Sequence, residues 1–318
     1  MSVAQSPELS AAYASCRAIA KREAKNFYYS FRVLPQHKSD AMCAVYAFMR
    51  KADDLADDES LSLDARREAM AVWTAAWRAS RVASTEDPIF LALNDTQQRF
   101  AISDDLLEQL VAGTTLDLQP QPDGVHVEEI PNADGPPRVV QVYDSVAALH
   151  HYCYLVASVV GLVCIRIFGY TDRRADQFAI DTGVAFQLTN ILRDVKEDAD
   201  RGRIYLPADL LRDNAVTAER ILALASGDSL QPNELALLRG LELHAQTLYR
   251  SADQLIPMLD PDARPAMRVL VRIYHDLLDR VAADPAAIFR ERVSVPTARK
   301  LSILAIGILQ SFKARLVG

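Results

Sequence analysis

Asn190-Ile191-Leu192-Arg193-Asp194-Val195-Lys196-Glu197-Asp198 places carboxylates four residues apart within an apolar helical pattern, and Asp53-Asp54-Leu55-Ala56-Asp57-Asp58 does the same nearer the start of the chain. Residues four apart stack on one helix face, so each segment predicts a ridge of like charge. Carboxylates held side by side repel one another, a helix that gathers them expects a cation, and oxygen-only ligands suit Mg²⁺. Tyr46, Arg50, Asp53, Asp54 and Asp57 follow steps of three to four residues along the first helix. Gly183, Gln187, Asn190, Asp194 and Asp198 do so along the second. The remaining positions are apolar, among them Val45, Phe48, Leu188, Ile191, Leu192 and Val195. Two such polar stripes would be costly to bury unless they face each other across a cavity with an acidic mouth and an apolar floor. Arg50, Arg193, Arg201 and Arg203 flank the ridges, and mixed carboxylate and guanidinium groups suit a diphosphate bridged to carboxylates by Mg²⁺. For a single acidic pair a solvated helix face is the commoner explanation. Two matched ridges, the second followed by Gly202-Arg203-Ile204-Tyr205-Leu206-Pro207, weigh against it.

Outward from the ridges, 3.6-residue periodicity predicts helices over Ala11–Phe31, Ser39–Ala56, Asp64–Ser80, Asp104–Thr115, Val146–Phe168, Arg173–Asp198, Glu234–Leu255, Ala263–Asp284 and Pro296–Leu316. The chain therefore reads as all-α, one domain over 1–318, with residues 1–10 expected to be a disordered end. Residues 119–142 contain Pro120, Pro122, Pro131, Pro136 and Pro137 and cannot be helical. An irregular loop or surface hairpin is expected there, with an active-site flap as the alternative. The longest apolar run, Val156 to Ile165, is too short to span a membrane and is expected to be a core helix.

Apolar residues make up 50% and charged residues 24% of the 318 positions, which is ordinary for a globular protein with a large core. The net charge of −7 argues against nucleic-acid binding, which needs a concentrated basic face. Cys16, Cys43, Cys153 and Cys164 form no C-x-x-C pair, so neither zinc nor a disulfide framework is signalled. With no signal-peptide pattern at the start, a cytoplasmic location is expected. The six histidines read as ordinary surface or core residues. Arg290, Arg292, Arg299, Lys300, Lys313 and Arg315 make the C-terminal helix basic, so it either packs on the core or rests on the inner face of an anionic membrane.

The chain resembles the squalene/phytoene synthases, which couple prenyl diphosphates head to head. The resemblance is carried by Phe27-Tyr28 through Leu34-Pro35, by Ala44-Val45-Tyr46-Ala47-Phe48-Met49-Arg50 leading into Asp53 to Asp57, by Tyr152 to Gly161, and by Gln187 through Asp198 to Pro207. It spans about residues 13 to 300. It implies a single class I terpenoid-synthase helical domain with a central apolar cavity. It implies metal and diphosphate binding by Asp53, Asp54 and Asp57 in the first motif and by Asn190, Asp194 and Asp198 in the second. Catalytic roles are implied for Tyr46, Tyr152, Arg193 and Tyr274, and diphosphate contacts for Arg50, Gln187 and Arg292, to which the flanking Arg203 is added. Asp58 is extra. Phe27, Phe31, Val156, Leu162, Phe186 and Leu188 are candidates for the apolar wall, although such stripes more often simply pack. Two departures from the family pattern stand out: the Tyr28-Tyr29 pair in place of a small hydroxyl residue, and Ser158 in place of a glycine.

The resemblance implies that Mg²⁺, or Mn²⁺, and arginine draw off the diphosphate of one donor, and that a second donor attacks the allylic cation to give a cyclopropylcarbinyl diphosphate. With farnesyl diphosphate the product is presqualene diphosphate. Squalene follows if NADPH then supplies hydride. The Asp-Asp-Leu-Ala-Asp form of the first motif favours the C15 donor, and phytoene synthesis from geranylgeranyl diphosphate is the alternative. Also weighed are an idle relative acting as an assembly factor, disfavoured by the intact carboxylates, and a one-donor cyclase, disfavoured by the Asn-Ile-Leu-Arg-Asp context.

Overall fold

The computed structural model describes residues 6–119, 122–132 and 135–317. Helices dominate: α1 (Pro7–Glu23), α2 (Lys25–Phe31), α3 (Gln36–Ala56), α4 (Leu63–Ser80), α5 (Pro88–Arg99), α6 (Asp104–Thr115), α7 (Val146–Cys153), α8 (Val159–Phe168), α9 (Arg174–Asp200), α10 (Ala208–Asp213), α11 (Ala218–Ala225), α12 (Pro232–Leu255), α13 (Arg264–Ala283) and α14 (Thr297–Val317). Local chemistry sets many of the starts. Ser62, Ser103, Ser145 and Thr217 each accept a backbone N–H three residues on, which satisfies a donor the first turn leaves free. The predicted helix over Ala11–Phe31 breaks at Ala24, giving α1 and α2. Helix α5 was absent from the sequence reading because Asp87-Pro88 looks like a stop. Here Asp87 caps Ile89 and Phe90 and Pro88 occupies the first turn, where its missing N–H costs nothing.

Residues 146–168 form one continuous helix, as expected, but its middle, Tyr154–Ser158, widens into a π-turn. By length and composition this helix is apolar enough to cross a membrane, longer than the run read from sequence. Val159, Val163, Ile165, Ile167 and Phe168 are nevertheless buried against the rest of the protein, so it serves as a core helix.

Of the loop or surface hairpin expected over 119–142, the described residues form the hairpin. Strand β1 (Val125–Ile130) runs antiparallel to β2 (Arg138–Tyr143), with Val125 opposite Tyr143. The prolines at 122, 131, 136 and 137 lie outside the strands, where no ladder N–H is needed; Pro120 lies outside the described residues. Strand β2 also pairs in parallel with β3 (Arg203–Ile204), so the hairpin sits on the C-terminal end of α9. Gly202 allows that approach at φ 74°, since a Cβ there would come 2.8 Å from the Val139 carbonyl oxygen. The first five residues of the predicted disordered end also lie outside the described residues.

Buried side chains fall into two clusters. One gathers Tyr13, Phe48, Trp77, Leu93, Leu107 and Ile165 around α1, α3, α5, α6 and α8. The other gathers Leu188, Leu192, Leu238, Tyr249 and Leu278 around α9, α12 and α13. Phe27 and Val271 touch both.

Lys38 ties distant elements of this frame together. Its buried ammonium donates to the Phe168 carbonyl at 2.8 Å, to Asp260 at 3.1 Å and to Asp262 at 2.6 Å. Gly169, at φ 76°, makes room for Asp260, whose Oδ2 would lie 2.0 Å from a Cβ. Replacing Lys38 with Met strands one buried carbonyl and two half-exposed carboxylates. We expect a loss of about 2 kcal/mol, read from the denaturant midpoint; an unchanged midpoint would show that this tie contributes nothing.

Candidate active site

Helix α9 carries the second ridge, and the structure surrounds it with compensating groups. Arg193 lies along its neighbour Asp194, Nε to Oδ1 at 2.7 Å with a second bond from Nη2. Arg292, arriving from the segment before α14, stands 3.5 Å from both Asp194 and Glu197. Asn190 donates to Gln187 at 3.3 Å, and the Tyr274 hydroxyl of α13 is hydrogen-bonded to Asn190 beside Arg193. Tyr274 is buried, which raises its pKa. Directly beneath, Phe186 stacks on Tyr274 with centroids 4.5 Å apart, and Phe27 packs on the same ring at 5.8 Å. A charged layer thus rests on an aromatic one.

Asp198 sits one turn further along and lines a small crevice with Arg203, Tyr205 and Ile191. Burial, and then the charge of Asp194, push its carboxyl up to about 7, against the opposing pull of Arg203 and Arg201.

The first ridge occupies the end of α3. Asp53 is half-buried while Asp54 and Asp57 are exposed. Arg50 pairs with Asp54 at 2.6 Å, and its buried Nε finds no hydrogen-bond partner among the described residues. Tyr46 packs edge-on to Phe31 at 6.3 Å, and burial pushes its hydroxyl up to about 12. Two details depart from the sequence reading. Asp57 is the C-cap of α3 rather than part of its helical stripe, although its N–H still bonds the Asp53 carbonyl at 2.9 Å. Asp58 turns to Ser60 and closes the following loop.

The bridge between the ridges is α2. Its Phe31 touches Tyr46 of the first, and its Phe27 touches Tyr274, which holds Asn190 of the second. Along this seam Phe27, Phe186 and Val156 are only half-buried, so they border open space, whereas Phe31, Leu162 and Leu188 are buried and belong to the core. Gly183, placed in the polar stripe by its spacing, is buried instead: a Cβ there would lie 2.6 Å from Ser158 Cα. Ser158 donates to the Ile180 carbonyl at 2.7 Å, so at this contact the small residue stands on α9 and the hydroxyl on the π-turn.

Tyr152 stands apart from the Tyr274 group. It joins Tyr143 and Tyr205 in a ring cluster, with its hydroxyl 3.3 Å from that of Tyr205, on the Asp198 side. Sequence reasoning missed Glu23, whose charge acts on Tyr46 and Arg50, and gave no role to Glu197, the second partner of Arg292. Glu197 was visible in the motif but falls off the four-residue spacing. Among the described residues no three acidic, imidazole or thiol side chains stand close enough to hold a metal ion by themselves, so the predicted ligands do not form a closed cage.

The squalene/phytoene synthase family model matches residues 20–299. The chain belongs to that family. It is 30% identical over 310 residues to the phytoene synthase of Mycobacterium tuberculosis, covering 96% of this chain and 93% of that one. It is equally identical over 315 residues, 95% and 94% of the two chains, to the 15-cis-phytoene synthase of Synechococcus elongatus. Among solved structures, a dehydrosqualene synthase in complex with a ligand superposes with a TM-score of 0.75 at 27% identity, over 96% of this chain and 98% of that one. The squalene synthase HpnC from Alicyclobacillus acidocaldarius, at 22% identity, shares the fold with a TM-score of 0.74 over 87% and 95% of the two chains. The helical terpenoid-synthase fold and membership of a head-to-head prenyltransferase family therefore stand.

In this squalene/phytoene synthase relative the donor set fits Mg²⁺. Every candidate ligand is an oxygen donor, and Mg²⁺ commonly takes only one or two carboxylates, leaving its other positions to water and phosphate oxygens. Burial first, and then the neighbouring Asp194, make ionised Asp198 costly without a bound cation.

The same burial and neighbouring charge yield a pH signature in metal-free protein. Native Asp198 keeps its proton up to about pH 7, whereas the unfolded chain releases it near the ordinary carboxylate value of about 4. The native state binds more protons across that window, so this group makes stability fall as pH rises through it. Asp198→Asn should match the wild type near pH 4 and melt roughly 2 °C higher or more at pH 8 in chelator-treated buffer. Equal melting at both pH values would remove Asp198 as the strained group.

Proposed function

We propose that this protein joins two allylic prenyl diphosphates head to head through a cyclopropylcarbinyl diphosphate. The observation that carries the reading is the Asp194 cluster with Arg193 and Arg292, joined through Asn190 and Tyr274 to the Phe186 and Phe27 rings. That arrangement suits a molecule with a charged head and a greasy tail. Bound Mg²⁺, held by Asp53 and Asp57 on one side and by Asn190, Asp194 and Asp198 on the other, would neutralise the departing diphosphate.

The chain's own residues do the rest. Arg50, Arg193 and Arg292 hold phosphate oxygens, with Gln187 and Arg203 at the edges, and Asn190 fixes the Tyr274 hydroxyl. The C–O bond of the first donor breaks, and the π-electrons of the second donor's 2,3 double bond attack the resulting carbon. Loss of a proton closes the three-membered ring. Between those events the faces of Phe27, Phe186 and Tyr274 stabilise positive carbon while the apolar wall excludes water. Tyr46 is a neutral phenol at working pH, and burial, by pushing its pKa up to about 12, widens that margin, so it is set to offer a proton donor rather than a base.

Donor length draws on two observations. The first-motif form and the 27%-identical dehydrosqualene synthase structure support farnesyl diphosphate. The relatives named phytoene synthase support geranylgeranyl diphosphate as the second reading. Farnesyl diphosphate is the donor we place first. We further propose that the outer face of α14, where Leu301, Ile306, Leu309 and Phe312 are all at least half exposed, rests on an anionic membrane that receives the product.

Purified protein with Mg²⁺ and farnesyl diphosphate should release diphosphate and form presqualene diphosphate, with squalene appearing only if added NADPH is consumed. Turnover of geranylgeranyl diphosphate alone would move the assignment to phytoene synthesis, and turnover of neither would end it. Asp53→Ala and Asp194→Ala should each lower kcat by roughly 10²-fold or more with unchanged circular dichroism. In flotation with anionic vesicles, Leu309→Asp with Phe312→Asp should abolish an association that the wild type shows; an absence of wild-type association would refute the membrane face.

A further inference from the structure

His150 and His244 are far apart in sequence, and no spacing rule joins them. The fold brings their Nε2 atoms to 2.8 Å, His150 from α7 and His244 from α12, with ring centroids 5.0 Å apart. Both are half-buried. Asp181 of α9 places a negative charge near His150 and is itself fixed by Ser251 Oγ and Gln177 Nε2, each at 2.8 Å.

We propose that His150 and His244 form a two-imidazole site for a divalent transition ion of the Zn²⁺ class, separate from the acidic ridges. Two converging Nε2 atoms, which share a hydrogen bond while the site is empty, supply two of the four positions such an ion fills. At Zn–N lengths of about 2.0–2.1 Å and a tetrahedral angle, two ligand nitrogens sit about 3.3 Å apart, so the rings need part by only about half an ångström. Imidazole nitrogen selects Zn²⁺, Cu²⁺ or Ni²⁺ over Mg²⁺, so the ion that fits the carboxylates does not compete here. Among the described residues no third acidic, imidazole or thiol group completes the shell, which leaves the remaining positions to water. Asp181 is then placed to favour the cation electrostatically.

The consequence is mechanical as well as chemical. His150 lies four residues before the π-turn that borders the apolar seam, and α12 packs along α9. An ion across the pair would clamp α7 to α12 and fix that turn. Burial and the facing ring lower the pKa of His150, and burial lowers that of His244, so both stay neutral and able to coordinate at neutral pH.

The test is Zn²⁺ titration of the full chain in saturating Mg²⁺, by competition with a chromophoric chelator. Losing an outer partner of a metal ligand already costs 10–100-fold in affinity, so His150→Gln and His244→Gln should each weaken one site by at least ~10-fold, and His151→Gln should not. Cu²⁺ bound to wild type should show two-nitrogen hyperfine structure by electron paramagnetic resonance, a readout that needs no variant. Undiminished Zn²⁺ binding in both His→Gln variants, no binding up to ~1 mM, or a copper spectrum without two imidazole nitrogens would each overturn the assignment.

Discussion

Both acidic ridges lie at the C-terminal ends of their helices, where the aligned peptide dipoles already present about half a negative charge. Helix α3 ends at Ala56 with Asp57 as its cap, and α9 ends at Asp200 with Arg201 as its cap; neither places a lysine or arginine within its last turn. A protein shaped only for stability would reverse that choice, since basic residues at these ends are favourable and acidic ones are not. Compensation comes instead from other positions: Arg50 one turn back, Arg193 beside Asp194, and Arg292 from a distant segment. The helix ends thus add negative charge to each ridge, and these arginines oppose it. Cation binding there relieves repulsion among side chains and between side chains and helix ends together.

The apolar interior answers a related constraint. A chamber for long hydrocarbon tails must stay open, while ordinary cores close to crystalline density. Here the buried side chains divide into two clusters that share Phe27 and Val271. The π-turn at Tyr154–Ser158 lies on this divide, packed backbone to backbone against Gly113 and Gly183, where a Cβ would come within 2.6 Å of Leu155 O and Ser158 Cα. An extra residue in a helical turn redirects side chains by roughly a third of a turn, which turns Val156 toward the seam. Rigid backbone contact on both sides makes the redirected wall inexpensive to keep.

Much of this was legible in the sequence because the deciding signals were local. The 3.6-residue period gave most of the long helices, and four-residue spacing gave the ridges. Signals requiring two distant segments were not legible. A hairpin was legible from the prolines of 119–142, but its pairing to Arg203–Ile204 was not, because that depends on Gly202 admitting the Val139 carbonyl. Tyr152 was grouped with Tyr274 by family resemblance, yet it packs on Tyr143 and Tyr205, which only the hairpin brings near. His150 and His244 passed as ordinary residues because 94 positions separate them.

Open carboxylate clusters and the division of the core also bear on each other. A fully assembled three-carboxylate cage would bind its ion in the resting protein and leave little charge for an incoming diphosphate. An open set, with Asp194 lent to two arginines, needs the phosphate oxygens to complete it. Under the proposed function, metal and substrate head would bind as one unit, and their free energy would be available to order Arg193 and Arg292 beside the Phe186–Tyr274 stack. Under the proposed function, charge compensation at the carboxylates and exclusion of water from the aromatic layer would be a single coupled step, which would let two bulky lipids enter yet keep water out once either begins to ionise.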